Sequence, residues 1–351
     1  MKRFKSIVMV ALAVLVTAGY VLPATTATAV SSAALSIVPK KNYVIEPGKS
    51  VKDTLIIRNL DSSHPLELTL RVIDFTFTDD GGTPKLFLDE DAPQTTWSLK
   101  PFMTVPKNVT VPPSGSKTLD MNVAIPAGHG AGSYYSAIVY SSGSGEGGNV
   151  GLSASGVTLV FTSIPGKVNE DLKLEKFGAY TPATASKKAH YTWIAMDEPN
   201  LMAFTLKNNG NVTEAPVGTI TLKNMFGKTY TINDLNPNSS LALIGQARTF
   251  TSCIKLKEQA VDFNGKKTEA KQCVSPGLWP GRYTASVDLF YGQNGNNTQE
   301  VVGNATFWYL PGWFLIALLV ILLVIAYFVW RVVRKFRQMT GKSTKPSFRR
   351  K

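Results

Sequence analysis

The sequence predicts an all-β ectodomain of two tandem immunoglobulin-like β-sandwiches, followed by one C-terminal transmembrane α-helix. Three observations carry that expectation. Short runs rich in β-branched and aromatic residues recur along most of the chain, separated by Gly, Pro, Asn and Asp clusters. The two halves of this β-rich stretch echo one another. Near the C-terminus lies a long apolar run free of charge, with a basic tail directly behind it.

Residues 1–29 read as a secretory signal peptide: Lys2, Arg3 and Lys5, an apolar run from Ile7 to Val16, and Ala27-Thr28-Ala29 as an A-x-A cleavage site. A retained N-terminal anchor is the alternative, but an apolar run this short spans a bilayer poorly. The first cysteine is Cys253, so no lipoprotein anchor is expected at the N-terminus.

Residues 33–166 form the first expected sandwich. Its strands are Val51 to Asn59, Leu66 to Phe77, Lys117 to Ile125, Ser133 to Tyr140 and Gly156 to Ile164. Glu46-Pro47-Gly48, Asp79-Asp80-Gly81-Gly82 and Pro112-Pro113-Ser114-Gly115 supply the turns. Residues 167–309 form the second, with strands Leu172 to Phe177, Met202 to Asn208, Gly218 to Lys223, Ala242 to Thr251, Tyr283 to Tyr291 and Val301 to Trp308. The boundary falls near Pro165-Gly166-Lys167, and Tyr180 to Pro199 reads as a long polar loop. Ile57-Arg58-Asn59 resembles Leu206-Lys207-Asn208, and Gly132-Ser133-Tyr134 resembles Gly281-Arg282-Tyr283. The Asn-to-Gly separation is 73 residues in both halves. Tyr134 and Tyr135 must point to opposite faces of one strand.

The two cysteines, Cys253 and Cys273, both lie in the exported part, where an oxidising compartment favours a disulfide over two free thiols. Asn264-Gly265 between them is a hairpin signal, so residues 253–273 read as a stapled hairpin projecting from the second sandwich.

Residues 310–330 are long enough to cross a hydrocarbon core of about 30 Å. Trp308, Tyr309 and Trp313 mark one interface and Tyr327, Phe328 and Trp330 the other, because amphipathic rings favour the headgroup level. Pro311 suits the first helical turn. The tail, residues 331–351, carries nine Lys or Arg and no acid, beginning with Arg331, Arg334, Lys335 and Arg337. The positive-inside rule places it in the cytoplasm, contacting anionic lipids at most, and puts the N-terminus outside. The expected localisation is therefore the cell membrane, single-pass, with an extracellular ectodomain.

The net charge of +13 invites a nucleic-acid reading, which its distribution removes. Nine of those charges are in the tail and three in the signal peptide, so residues 30–330 carry only +1. His64, His129 and His190 fall in expected loops without metal-ligand spacing, and the acidic groups at 79–80 and 89–91 lack the calcium-loop pattern. The glycine-rich stretch Ser141 to Gly151 lacks a phosphate-loop ending. The expectation is no enzyme, cofactor, metal or small-molecule substrate. Trp97, Trp193, Tyr134 and Tyr135 serve either as sandwich core or as flat anchors for a partner.

Ser36-Ile37-Val38-Pro39, Pro47-Gly48, Ile57-Arg58-Asn59, Pro112 to Gly115, Pro126 and Gly132, set in this layout, resemble the bacterial WxL-interacting proteins. That resemblance implies a peptidoglycan-binding domain over 33–166, a partner-binding second domain, one transmembrane helix and a basic tail. It also implies a bacterium with a single membrane and a thick wall. The function expected is a non-enzymatic surface scaffold binding peptidoglycan or another surface protein. A membrane sensor or assembly subunit is the alternative, and a wall-modifying enzyme a third.

Overall fold

A computed structural model describes residues 35–77, 84–89, 92–142, 154–233, 235–263, 266–292 and 296–340. The signal peptide, Asp79 to Gly82, Glu90-Asp91, most of the glycine-rich stretch, Asn264-Gly265 and the end of the tail lie outside them.

The first half contains β1 (Leu35–Ile37), β2 (Lys40–Val44), β3 (Ser50–Asn59), β4 (Leu66–Ile73), β5 (Phe75–Phe77), β6 (Pro84–Leu86), β7 (Met103–Thr104), β8 (Asn108–Val111), β9 (Ser116–Ala124), β10 (Gly132–Ser142) and β11 (Ala154–Ile164). The second contains β12 (Leu172–Thr181), β13 (His190–Thr192), β14 (Ile194–Ala195), β15 (Leu201–Asn208), β16 (Val217–Asn224), β17 (Thr229–Ile232), β18 (Ala247–Cys253), β19 (Leu256–Phe263), β20 (Lys266–Cys273), β21 (Gly281–Tyr291) and β22 (Gln299–Tyr309). One helix, α1 (Gly312–Thr340), follows.

Each half is a sandwich with an immunoglobulin-like arrangement. In the first, sheet β1-β3-β9-β7 packs on sheet β2-β11-β10-β4-β8; in the second, β13-β12-β15-β18 packs on β14-β22-β21-β16-β17. The two five-stranded sheets share one plan. Each has a short outermost strand parallel to its neighbour, β2 on β11 and β14 on β22, and antiparallel pairs elsewhere. The sequence echo falls on equivalent places in this plan. Asn59 and Asn208 end β3 and β15, and both are buried. Each donates through Nδ2 to a nearby carbonyl (His64 O at 2.8 Å, Val212 O at 2.6 Å) and accepts at Oδ1 from the N–H two residues on. A buried amide with both ends satisfied clamps the turn that leaves the strand. Gly132 and Gly281 open β10 and β21 at φ +147° and +140°, where a side chain would be strained. Tyr134 and Tyr283 each donate a hydroxyl to the carbonyl four residues back, at Gly130 (3.3 Å) and Trp279 (2.8 Å). Such a tyrosine corner pins the strand entry in sandwich folds.

The equivalent central strands are nevertheless buried differently. In β21 burial alternates, with Arg282, Thr284, Ser286 and Phe290 outward. In β10 both faces are covered. Tyr134, Ile138 and Tyr140 face the first sandwich's core, while Tyr135, Ala137 and Val139 join a third apolar cluster with Phe75 and Leu243. Leu243 comes from the second sandwich and is 0% exposed. Tyr135, at the centre, packs on Phe75 (5.2 Å) and stacks on Trp97 (5.9 Å). The two sandwiches are thus joined through a packed apolar junction.

Several expectations change. Residues 242–246 do not continue β18; they make a tight turn, with Gly245 at φ +73° donating its N–H to Asn208 O, and this turn carries Leu243 into the junction. Tyr180 to Pro199 is not one loop, for it contains the end of β12 together with β13 and β14, so His190 opens a strand. Strands of two or three residues carry too little periodicity to stand out from polar sequence. The helix starts two residues later than expected and continues past Trp330 to Thr340. Pro311 sits just before it, and its carbonyl accepts from Phe314 and Leu315. Basic residues are good helix formers, so Arg331 to Gln338 propagate the helix.

Candidate functional site

A groove on the first sandwich lies beside β4, where β8 pairs only with Leu66–Thr69 and leaves the rest of the strand edge uncovered by a strand. It has a volume of 690 Å³, and its walls include Arg71, Asp89, Lys100, Thr104, Lys107 and Asn108 over a floor of Leu70 and Met103. A neighbouring hollow of 310 Å³ shares Ile73, Asp89 and Lys100 with it. Three cationic side chains and one carboxylate line the groove, so it favours ligands carrying carboxylate or phosphate groups alongside hydroxyls. Arg71 donates to Leu88 O at 3.2 Å, which orients its guanidinium along the wall.

A buried polar network sets the position of Lys100. Asp74 is nearly inaccessible, and its Oδ1 accepts from the hydroxyls of Ser98 (2.6 Å) and Ser136 (3.0 Å). Its Oδ2 accepts from both the N–H and the hydroxyl of Thr95 at 3.0 Å. Ser98 in turn accepts from the Lys100 N–H at 3.2 Å, and Ser136 from the Leu99 N–H at 3.0 Å. A buried carboxylate stripped of these donors would be costly, so the network holds segment 95–102 across the sheet. Sequence reasoning passed over Asp74 inside the strand-like run Leu66 to Phe77. Its signal was an acid set directly between Ile73 and Phe75, with serines far along the chain to receive it.

A second cavity of 510 Å³, on the other sheet, is lined by Asp53, Thr54, Thr104 and Asp120 among others. Lys41 donates to Asp53 Oδ2 at 2.6 Å and Tyr43 at 2.5 Å. The lysine bond first, and the tyrosine bond second, hold the Asp53 carboxyl down at about 2. This carboxylate stays charged and tied to its partners, which makes it a poor acid or base. A third cavity, of 530 Å³ on the second sandwich, runs from Tyr180 to Glu198 and reaches Cys273.

The junction adds polar contacts to its apolar cluster. Ser133 donates its N–H to Asn211 O (2.9 Å), Thr213 donates its N–H to Ser133 Oγ (3.0 Å), and the Asn211 side chain donates to Ala131 O (3.1 Å). Phe77 N–H reaches Gln246 Oε1 at 3.1 Å, while the Arg248 guanidinium lies 4.9 Å from the Phe77 ring centre. Glu214, next to Thr213, is 1% exposed, and among the described residues its Oε1 has no hydrogen-bond partner. Burial, and after it the nearby Glu170 charge, push its carboxyl up to about 7.

Cys253 and Cys273 form the disulfide at the base of the β19–β20 hairpin. Trp308, Trp313, Tyr327 and Trp330 are exposed. Tyr309, expected at the headgroup level, is instead 9% exposed and part of the second sandwich's core, because it ends β22 between Gly281 and Ala195. Arg331 and Arg334 each lie over an aromatic ring one turn back, Tyr327 at 5.6 Å and Trp330 at 5.3 Å; Lys335 and Arg337 are exposed on the same helix. His129 packs edge-on between Phe102 and Tyr134, and His64 bonds Asp61. Among the described residues no three His, Cys, Asp or Glu side chains group as a metal site would need. Among the described residues one helix, α1, is long and apolar enough to cross a membrane.

No protein-family model matches the chain, and no curated protein matches it. Solved structures similar to it include a chaperone–tip adhesin complex of CFA/I fimbriae biogenesis, at 11% identity over 79% of this chain and 99% of that one, with a TM-score of 0.35. The class 5 fimbrial chaperone CfaA follows at 12% identity, 79% and 99% coverage and a TM-score of 0.33. The E. coli chaperone DraB is similar at 12% identity, 77% and 98% coverage and a TM-score of 0.32. Likeness at this level assigns no function to the chain.

Proposed function

We propose that the chain is a non-enzymatic surface scaffold, held in the cell membrane by α1, whose first sandwich binds peptidoglycan or a partner surface protein as the WxL-interacting proteins do. In this reading the signal peptide exports the sandwiches and the basic tail stays in the cytoplasm. The observation that carries it is the 690 Å³ groove, open and rimmed by Arg71, Lys100 and Lys107, on the sandwich farther along the chain from the membrane helix. Peptidoglycan offers that groove what it selects for, sugar hydroxyls together with the carboxylates of its stem peptides. The test is co-sedimentation of the detergent-solubilised full chain with purified peptidoglycan, with and without extracts of surface proteins. Retention is expected, with about a tenfold loss in the exposed-site double variant Lys100→Glu/Lys107→Glu. Retention by neither material would sink the reading.

The helix running to Thr340 favours a second reading, in which the ectodomain is coupled to an intramembrane or cytoplasmic partner. Identical co-purifying partners after deletion of residues 339–351 would set that reading aside.

A further inference from the structure

Among the described residues of the two sandwiches, the exposed large aromatic side chains are Trp193, Phe226, Trp279, Phe290 and Trp308. Their distribution is uneven. The register pairs Gly281 with Tyr309 and Asn224 with Tyr283, so the β16–β17 turn, the start of β21 and the end of β22 share one end of the second sandwich. Met225 and Phe226 sit in that turn, and Met225 donates its N–H to Arg282 O. Trp279 lies two residues before β21. Trp193 O accepts from the Trp308 N–H, and Ala195 O from the Leu310 N–H. Four of the five exposed aromatics, with Met225 and Met196, therefore surround the point where the chain enters α1. Trp193, Phe226 and Trp279 are 76%, 72% and 65% exposed. Large apolar side chains grouped at one end call for a partner surface.

The chain geometry places that end at the membrane. The charge-free stretch Gly312–Trp330 rises about 28 Å, which matches a hydrocarbon core of about 30 Å and sets Gly312 at its edge. Only Leu310 and Pro311 separate Tyr309 from Gly312, a reach of at most ~11 Å for three residue steps. The headgroup layer on each side is roughly 5–7 Å deep. Indole rings favour that layer.

We propose that Trp193, Met225, Phe226, Trp279 and Trp308 form a collar that rests in the headgroup layer of the bilayer and seats the second sandwich on the membrane. Reading α1 as a membrane span is a premise of this proposal; wall binding is not. The collar gives the sandwich a fixed height and orientation through contacts that α1 alone does not make, and the junction passes that orientation to the first sandwich.

The test uses the full chain labelled with 5-fluorotryptophan in phosphatidylcholine–phosphatidylglycerol nanodiscs, the six tryptophan resonances being assigned by single Trp→Phe substitutions. Lipid spin-labelled near the headgroup is expected to broaden Trp193 and Trp279 together with Trp308 and Trp313, and to leave Trp97 sharp. The double variant Met225→Asp/Phe226→Asp is expected to lose the broadening at Trp279. The collar is overturned if Trp193 and Trp279 ignore the lipid probe and broaden with a soluble gadolinium chelate while Trp313 answers to lipid. Protection of both from both probes also overturns it and marks a protein partner at that end. If Trp313 and Trp330 too ignore the lipid probe, the membrane span fails and the collar fails with it.

Discussion

Glu214 makes the stability of the second sandwich depend on pH in a direction opposite to that of most carboxylates. Its carboxyl is buried, lies near Glu170 and is pushed up from 4.5 to about 7. Between those values the folded chain keeps the proton and the unfolded chain releases it. The folded state therefore binds more protons, and its stability falls as pH rises. The stabilisation is complete below pH 4.5, declines through the interval and is gone above about 7. An interval of roughly 2.5 pH units corresponds to at most ~3.4 kcal/mol, a change of about three-hundredfold in the folding equilibrium. Glu214→Gln holds the site neutral at every pH and should remove this slope. The assay is guanidinium unfolding of the detergent-solubilised chain between pH 5 and 8, followed by Trp193, Trp279 and Trp308. Wild type should lose most of the ~3.4 kcal/mol across the range, while the variant stays level. Equal slopes in the two proteins would refute the reasoning. The junction should follow, because Thr213, beside Glu214, is bonded to Ser133.

Gly132→Ala and Gly281→Ala occupy equivalent positions but should differ in cost. A Cβ at Gly132 would lie 2.7 Å from the Asn211 backbone oxygen at the junction, whereas at Gly281 it meets the Met225 side chain, which can move. Thermal melts should show Gly132→Ala costing ~1–3 kcal/mol more, and equal melting shifts would contradict the junction geometry. Cys253→Ser/Cys273→Ser opens a loop with a 20-residue separation, worth at most ~3 kcal/mol on the entropic view. The effect should be confined to faster hydrogen exchange in β19 and β20, and exchange in β15 or β21 rising equally would mean that the disulfide supports the whole sandwich.

The strand runs were legible because alternating and β-branched patterns follow from the backbone's two-residue period. So was the 73-residue echo, which falls on the Asn59 and Asn208 turn clamps and on the strand-opening glycines. The groove was not legible. Arg71, Lys100 and Lys107 are scattered in sequence, and only the Asp74 network brings segment 95–102 to β4. The exposed aromatics were half legible: Trp308 was expected at the membrane from its neighbourhood, but Trp193, Phe226 and Trp279 reach the same end only through strand register.

By itself the sequence determined the β-rich character, the repeat, the cysteine pair and the apolar helix, all of which depend on neighbours within a few residues or on composition. The tertiary structure decided what covers each face. The outer side of β10 is buried while that of β21 is open, although the two strands open alike, because Leu243 and Trp97 come from distant segments to cover the first. Tyr309 went to the core rather than the headgroups for the same reason: its side of β22 faces the opposite sheet, and facing is settled by packing between segments that local pattern does not relate.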